Sequence, residues 1–387
     1  MNLTKNINFK KFKINKIEKK ISKILTNLLI EENQIISSFK DSYNDSWNKK
    51  IFEKYKKYKT IILIGMGGSI MGSRSIYSFL KKKIIKNFFF IDSFNHKEIK
   101  KMKKKECLNL IISKSGNTLE TIVNSNILIN KKKKNIFITE NKPNYLRSLA
   151  YKLKSEVIDH NNYIGGRYSV LSEVGMLPAM LMDLKVDKFR KLNQLIKNKI
   201  FFNALIKNVS SILTLTKKNK SNSIILNYDQ SSLDLFSWYQ QLVAESLGKK
   251  SKGILPIISK MPQDNHSLMQ FYLDGNKNNF YTFFFVKDEV SERIKNKELL
   301  KSHDYLKNRS LENILYNQYV ATKNVFSKKK IPFRSFEIYK RDETSLGELF
   351  VFFILETILL GKALKINPYD QPSVELIKTE TKRNLIS

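Results

Sequence analysis

Two short segments carry side chains and backbone suited to holding an anion. The first is Gly65-Met-Gly-Gly-Ser69-Ile-Met-Gly72, directly after the apolar run Thr60 to Ile64. Glycines there let backbone N–H groups approach a ligand closely, and a helix that starts after such a turn favours negative charge at its N-terminus. A tight turn with no ligand has the same composition. A dinucleotide-binding reading fits less well, because the third glycine and an acidic partner are missing. The second segment is Ser113-Lys-Ser-Gly-Asn-Thr118. Hydroxyls, one Lys and helix-end N–H groups converge in it, as a phosphate monoester requires. Its plain alternative is a helix cap made by Ser115 or Thr118.

Both segments follow apolar runs, and those runs predict the scaffold. Thr60 to Ile64, Asn87 to Ile91, Leu108 to Ile112, Asn135 to Ile138 and Val157-Ile158 alternate with stretches of helical character. Runs apolar on both faces and separated by helices are the mark of a buried parallel sheet. A second series, Ser223 to Leu226, Phe280 to Val286 and Phe333 to Ile338, follows the helical stretch Val174 to Leu213. The expectation is an α/β chain with two units in tandem. Ile14, Ile17, Ile21, Ile24, Leu25 and Leu28 keep helical spacing, so the N-terminal segment reads as an amphipathic helix. Leu346 to Leu364 is very apolar but broken by Glu348 and Glu356, which suits a buried helix rather than a membrane span.

Composition narrows the function classes. At 387 residues and 42% hydrophobic the chain can bury a sizeable core, and disorder is excluded. Seventy Lys and Arg against 35 Asp and Glu give +35, which by itself suggests a polyanion partner. Only nine of those residues are Arg, however, and the Lys excess travels with Asn and Ile throughout. Clusters such as Lys103 to Lys105 and Lys131 to Lys134 therefore read as solvated faces, with neither nucleic acid nor membrane as partner. The one cysteine, Cys107, precedes an apolar run and reads as a packed thiol. With no secretory signal in the first thirty residues, a cytoplasmic protein is expected.

Further motifs follow in order: Gly165-Gly-Arg-Tyr-Ser169, Gln241-Leu-Val-Ala-Glu-Ser246, a late His266, and Gln371-Pro-Ser-Val-Glu-Leu-Ile-Lys378. Together with the two anion segments, this series resembles the glucose-6-phosphate isomerase family from about residue 58 to the C-terminus. The resemblance implies two tandem sugar-isomerase (SIS) domains, each a three-layer αβα sandwich with a parallel sheet. The divisions are an N-terminal helical segment (1–57), SIS domains at 58–190 and 191–342, and a C-terminal helical arm (343–387). It also implies a homodimer with shared active sites, a sugar phosphate as substrate, and neither metal nor organic cofactor.

By the same resemblance Ser113, Lys114, Ser115 and Thr118 hold the phosphate, with Gly68, Ser69 and Gly166 close by. Glu245 is the base that moves a proton between C2 and C1 of the sugar through a cis-enediol(ate), and Arg167 stabilises the negative oxygen. Gln241, four residues before Glu245 on one helical face, orients the sugar. His266 and Lys378 assist ring opening, and Gln371 lies in the substrate-facing segment. His96, His160 and His303 sit in no motif and are expected to take no part. The rival activities are a dual phosphoglucose/phosphomannose isomerase, and a sugar-phosphate-binding regulator of SIS type without catalysis.

Overall fold

A computed structural model describes residues 1–14, 19–31, 33–48, 50–95, 100–102, 106–287 and 291–386. Its first sheet is built from β2 (Thr60–Gly65), β3 (Asn87–Ile91), β4 (Leu108–Ile112), β5 (Lys134–Glu140) and β6 (Glu156–His160), after a separate N-terminal strand β1 (Ile7–Lys10). All five are parallel, in the order β3-β2-β4-β5-β6. The strands show no polar alternation because both faces are covered. Ile61 and Leu63 of β2 join the main core, whereas Ile62 and Ile64 point into a second cluster with Ile111, Phe137 and Leu146. The chain leaves β2 for β3 on one side and returns to β4 on the other. The crevice beyond Gly65 and Ile112, which are register partners, is therefore the topological switch point of this sheet.

The second sheet runs β1-β10-β9-β7-β8, with β7 (Asn222–Asn227), β8 (Leu255–Lys260), β9 (Asn279–Val286) and β10 (Phe333–Ile338) mutually parallel. Two of its strands depart from the expectation. The segment 1–57, expected to be helical, supplies β1, which pairs antiparallel with β10 from Ile7↔Ile338 onward. Only four residues long and burying Ile7 and Phe9 alone, it carries too weak a periodicity to stand out. Strand β8 is an edge strand, half exposed and containing Pro256, a residue that edge positions tolerate and central ones do not.

The helices used below are α1 (Lys19–Ile30), α2 (Gly68–Phe79), α3 (Leu119–Leu128), α4 (Tyr145–Lys152), α5 (Glu173–Leu181), α6 (Lys199–Thr216), α7 (Leu233–Leu247), α8 (Leu311–Lys328), α9 (Glu343–Ala363) and α10 (Pro372–Ile386). In α1 the expected spacing buries Ile21, Leu25 and Leu28 against α6 and α9; Ile14 precedes the helix, and Ile17 lies outside the described residues. The expected C-terminal arm is two different things. Its first half, α9, is the central helix of the molecule: its apolar stretch has a mean hydropathy of 1.7, long and apolar enough to span a bilayer, yet 89% of it is buried inside the protein. Only α10 projects, and it buries no residue. The carboxylate of Glu356 survives within α9 because Arg334, Asn208 and the Tyr239 hydroxyl all donate to it.

Lys131, Lys132 and Lys134 are exposed, while Lys103 to Lys105 lie outside the described residues. Cys107 is buried, its sulfur 3.5 Å from Asn109 Oδ1.

Candidate active site

The loop after β4 and the start of α3 build an anion cradle. Ser113 Oγ and Thr118 Oγ1 lie 2.9 Å apart. Thr118 stands at the N-cap of α3 but makes no side-chain cap bond, so its hydroxyl is not consumed as an ordinary cap would consume it. Ser115 Oγ accepts from the Asn117 N–H at 3.3 Å and holds the turn. Gly116 sits at φ +64, and a Cβ there would lie 1.9 Å from Asn144 Oδ1, so the loop needs glycine at this place. Lys114 Nζ donates to the Asn162 carbonyl at 2.7 Å. Burial lowers the Lys114 ammonium from its ordinary value, with Glu140 opposing and Lys142 reinforcing the shift. A phosphate dianion beside it would oppose that lowering. Helix α2 opens on the same cleft, and its N-cap, Gly67, likewise supplies no side-chain bond.

Thr118→Val removes one hydroxyl from this cradle while keeping its shape. A hydrogen bond to a charged group contributes about 1.5–3 kcal/mol, so KM for a phosphorylated substrate should rise about tenfold or more, with a smaller change in kcat. Unchanged affinity for a phosphorylated competitive inhibitor would contradict the assignment.

Beside the cradle lies a carboxylate with both oxygens held. Helix α7 carries Gln241 and Glu245 one turn apart, and Gln241 Nε2 donates to Glu245 Oε2 at 2.9 Å. Arg167 Nη1 donates to Glu245 Oε1 at 3.0 Å and to Gln371 Oε1 at 3.1 Å. The rest of the guanidinium is bound inward, Nη2 to the Pro368 and Asp370 carbonyls at 2.7 and 3.0 Å, Nε to Ser246 Oγ at 2.7 Å. Gln241 Oε1 is buried and has no partner among the described residues, which leaves an acceptor for a ligand hydroxyl. Glycine is again required where backbones meet. A Cβ on Gly68 would lie 2.1 Å from Gly166 C and 2.4 Å from Arg167 N, so the start of α2 fixes the backbone that carries Arg167.

These groups line one cleft of about 380 Å³. The structure brings Gly68, Ser69, Ser113, Lys114, Ser115, Thr118, Gly166, Arg167, Gln241, Glu245, Gln371 and Lys378 to it. His266 is not among them: it lies exposed after β8, in a turn organised by the Asp264 carboxylate. Lys378 reaches the cleft from the exposed α10, its Nζ 2.7 Å from Glu375. His160 is buried with its Nδ1 2.9 Å from the Asn161 carbonyl, and burial pushes its pKa down to about 4; His303 is on the surface beside Ser302. His96 lies outside the described residues.

Sequence reading missed Glu140 and Tyr369, which also line the cleft. Glu140 could have been found, because it ends a parallel strand where open α/β sheets bind ligands. A larger hollow of about 760 Å³, lined from Thr216 to Leu364, contains neither a carboxylate nor an imidazole for proton transfer.

The family model for phosphoglucose isomerase matches residues 26–258. The chain belongs to that family. Members similar to it include the glucose-6-phosphate isomerase of Mycoplasmopsis pulmonis, 30% identical over 98% of this chain and 97% of that one. The glucose-6-phosphate isomerase of Methanocaldococcus jannaschii is 29% identical, covering 94% of this chain and 92% of its own. Among solved structures, a hypothetical protein from Thermus thermophilus superposes with a TM-score of 0.81 at 21% identity, over 95% and 94% of the two chains. A glucose-6-phosphate isomerase from Chlamydia trachomatis gives a TM-score of 0.75 at 16% identity, over 99% and 89%. These two likenesses concern the fold, whereas family membership rests on sequence.

Proposed function

We propose that this protein interconverts glucose 6-phosphate and fructose 6-phosphate. The observation that carries the reading is a carboxylate, Glu245, oriented by Arg167 and Gln241 in the same cleft as a Ser/Thr/Lys cradle at two helix N-termini. The cradle holds the phosphate and so places the sugar chain along the cleft toward Glu245. With the ring open, Glu245 takes the proton from C2. Electrons move into the C1 carbonyl, and the resulting enediolate oxygen is stabilised by the Arg167 guanidinium. The C2 hydroxyl gives up its proton to the C1 oxygen, and the carboxylic acid returns the carbon proton to C1 as the carbonyl forms at C2, so nothing is gained or lost overall. Gln241 Oε1, the acceptor left without a partner, takes a sugar hydroxyl.

Ring opening needs a proton donor at the ring oxygen, and we assign it to His266 of a second copy in a homodimer. Its exposed place outside the cleft supports this, as does α10, which carries Lys378 and leaves Leu376 and Ile377 at 73% and 70% exposure. A cytoplasmic setting accords with Cys107, buried beside Asn109 within the core.

A coupled assay of the purified protein tests the main reading. Turnover of glucose 6-phosphate with little or none of mannose 6-phosphate is expected; an inactive, folded protein would refute it, and equal rates would mark a dual enzyme. The shared site has its own test. Glu245→Gln and His266→Ala homodimers should each be crippled, and mixing them under exchanging conditions should restore activity, because some heterodimers then contain one intact site. Demonstrated exchange without recovery would exclude the shared arrangement.

A further inference from the structure

Two residues of the motifs stay outside the chemistry just described. Tyr168 and Ser246 are 1% and 0% exposed, neither lines the cleft, and both pack against the Arg167 side chain, itself 3% exposed. Their proton arrangement follows from counting. The one hydroxyl proton of Tyr168 goes to the Pro368 carbonyl at 2.8 Å. Ser246 Oγ, 2.8 Å from Tyr168 Oη, must then be the donor in that contact, and it keeps a lone pair for the Arg167 Nε–H at 2.7 Å. The result is a one-way chain, Arg167 to Ser246 to Tyr168 to Pro368. It closes on itself, because Arg167 Nη2 donates to the same Pro368 carbonyl at 2.7 Å. The Tyr168 ring lies 5.1 Å from the guanidinium carbon. Burial raises Tyr168 above its ordinary value, against a lowering by Arg167, so the hydroxyl stays a donor at neutral pH.

We propose that Tyr168 and Ser246 are positioning residues that lock the orientation of the Arg167 guanidinium, so that Nη1 alone is presented beside Glu245 and Gln371. The inference rests on the isomerase reading. A guanidinium turned about its Cδ–Nε bond would withdraw its Nε–H from the buried Ser246 hydroxyl and its Nη2 hydrogens from the Pro368 and Asp370 carbonyls, which disfavours every other orientation. Because the phosphate cradle lies on separate loops, loss of the lock leaves substrate binding largely intact. It weakens an interaction that grows as charge develops on the enediolate, and such losses fall on kcat.

The test compares Tyr168→Phe, Ser246→Ala and Ser246→Thr with the wild-type protein, with folding followed by near-ultraviolet circular dichroism. In Tyr168→Phe and Ser246→Ala, kcat should fall about tenfold or more while KM stays within about threefold. Affinity for a phosphorylated hydroxamate that mimics the enediolate should fall by the same factor as kcat, and affinity for an acyclic alditol 6-phosphate should not change. Ser246→Thr, which retains the hydroxyl, should recover kcat; if its extra methyl prevents folding, Tyr168→Phe decides. Unchanged kcat, or losses that appear in KM and alditol affinity instead, would overturn the proposal.

One readout is independent of turnover. The Arg167 Nε–H resonance should exchange slowly with solvent in the wild type and rapidly in the two crippled variants; rapid exchange in the wild type overturns the lock. An inactive wild type with a slowly exchanging Nε–H would instead count against the isomerase reading and leave the lock standing.

Discussion

Glu245→Gln is expected to lower kcat by about 100-fold or more, the range for loss of a general base, while KM changes little. The substitution keeps the size of the side chain and its oxygen facing Arg167 Nη1, now 3.0 Å away, so substrate should still bind. An amide has no basic oxygen able to accept a proton from carbon at neutral pH. Exchange of the C2 hydrogen with solvent, followed by NMR in deuterium oxide, should therefore fall with turnover. The neighbouring Gln241 cannot substitute, since an amide is no base either; its Nε2, which donates to Glu245 at 2.9 Å in the wild type, turns away from the new amide nitrogen. Near-normal exchange in this variant would move the base elsewhere in the cleft, with Glu140 and Glu375 as the next carboxylates to examine.

The largest effect on stability is expected at Arg334→Met. Arg334 and Glu356 are both fully buried and ion-paired, with Arg334 Nε also donating to Thr282 Oγ1 at 2.9 Å. Removing the cation leaves Glu356 as an uncompensated buried charge at the centre of α9, which costs about 3–5 kcal/mol. Urea unfolding should show this as a lowered midpoint with an unchanged slope. Arg334→Met with Glu356→Leu should recover part of the loss, because no buried charge then remains. Recovery stays incomplete, since the Tyr239 hydroxyl, 2.8 Å from Glu356 Oε1, loses its acceptor. A single variant within about 1 kcal/mol of wild type would contradict the buried-pair argument. Tyr239 lies on α7, two residues before Gln241, so the wild-type network also braces the helix that carries the proposed base.

Much of the cleft was legible before any coordinates because its parts are local. A glycine turn after an apolar run, or hydroxyls flanking a Lys at the start of a helix, are patterns within six or eight residues. They mark the C-terminal ends of β2 and β4, and the observed topology places both at one switch point. The core helix α9 was equally readable, since an apolar stretch interrupted by Glu348 and Glu356 has to find buried partners for both. Strand β1 was not readable. Four residues with two buried side chains become a strand only because β10 offers a free edge more than 300 positions later.

By itself, then, the sequence determined the strands and helices that bury continuous apolar surface, the glycine turns, and which segments carry groups able to bind phosphate or move a proton. Those properties depend on side-chain type and on spacings of two to four residues, which the backbone geometry converts directly into faces and turns. The tertiary structure decided the rest. Arg167 reaches Ser246, Glu245 and Gln371 across 79, 78 and 204 residues of chain, and the orientation of its guanidinium exists only where those segments meet. It decided as well that His266 stands outside the cleft of its own chain. Contacts of that range are set by how sheets and helices pack against one another, and no local spacing encodes the distance between two loops that belong to different sheets.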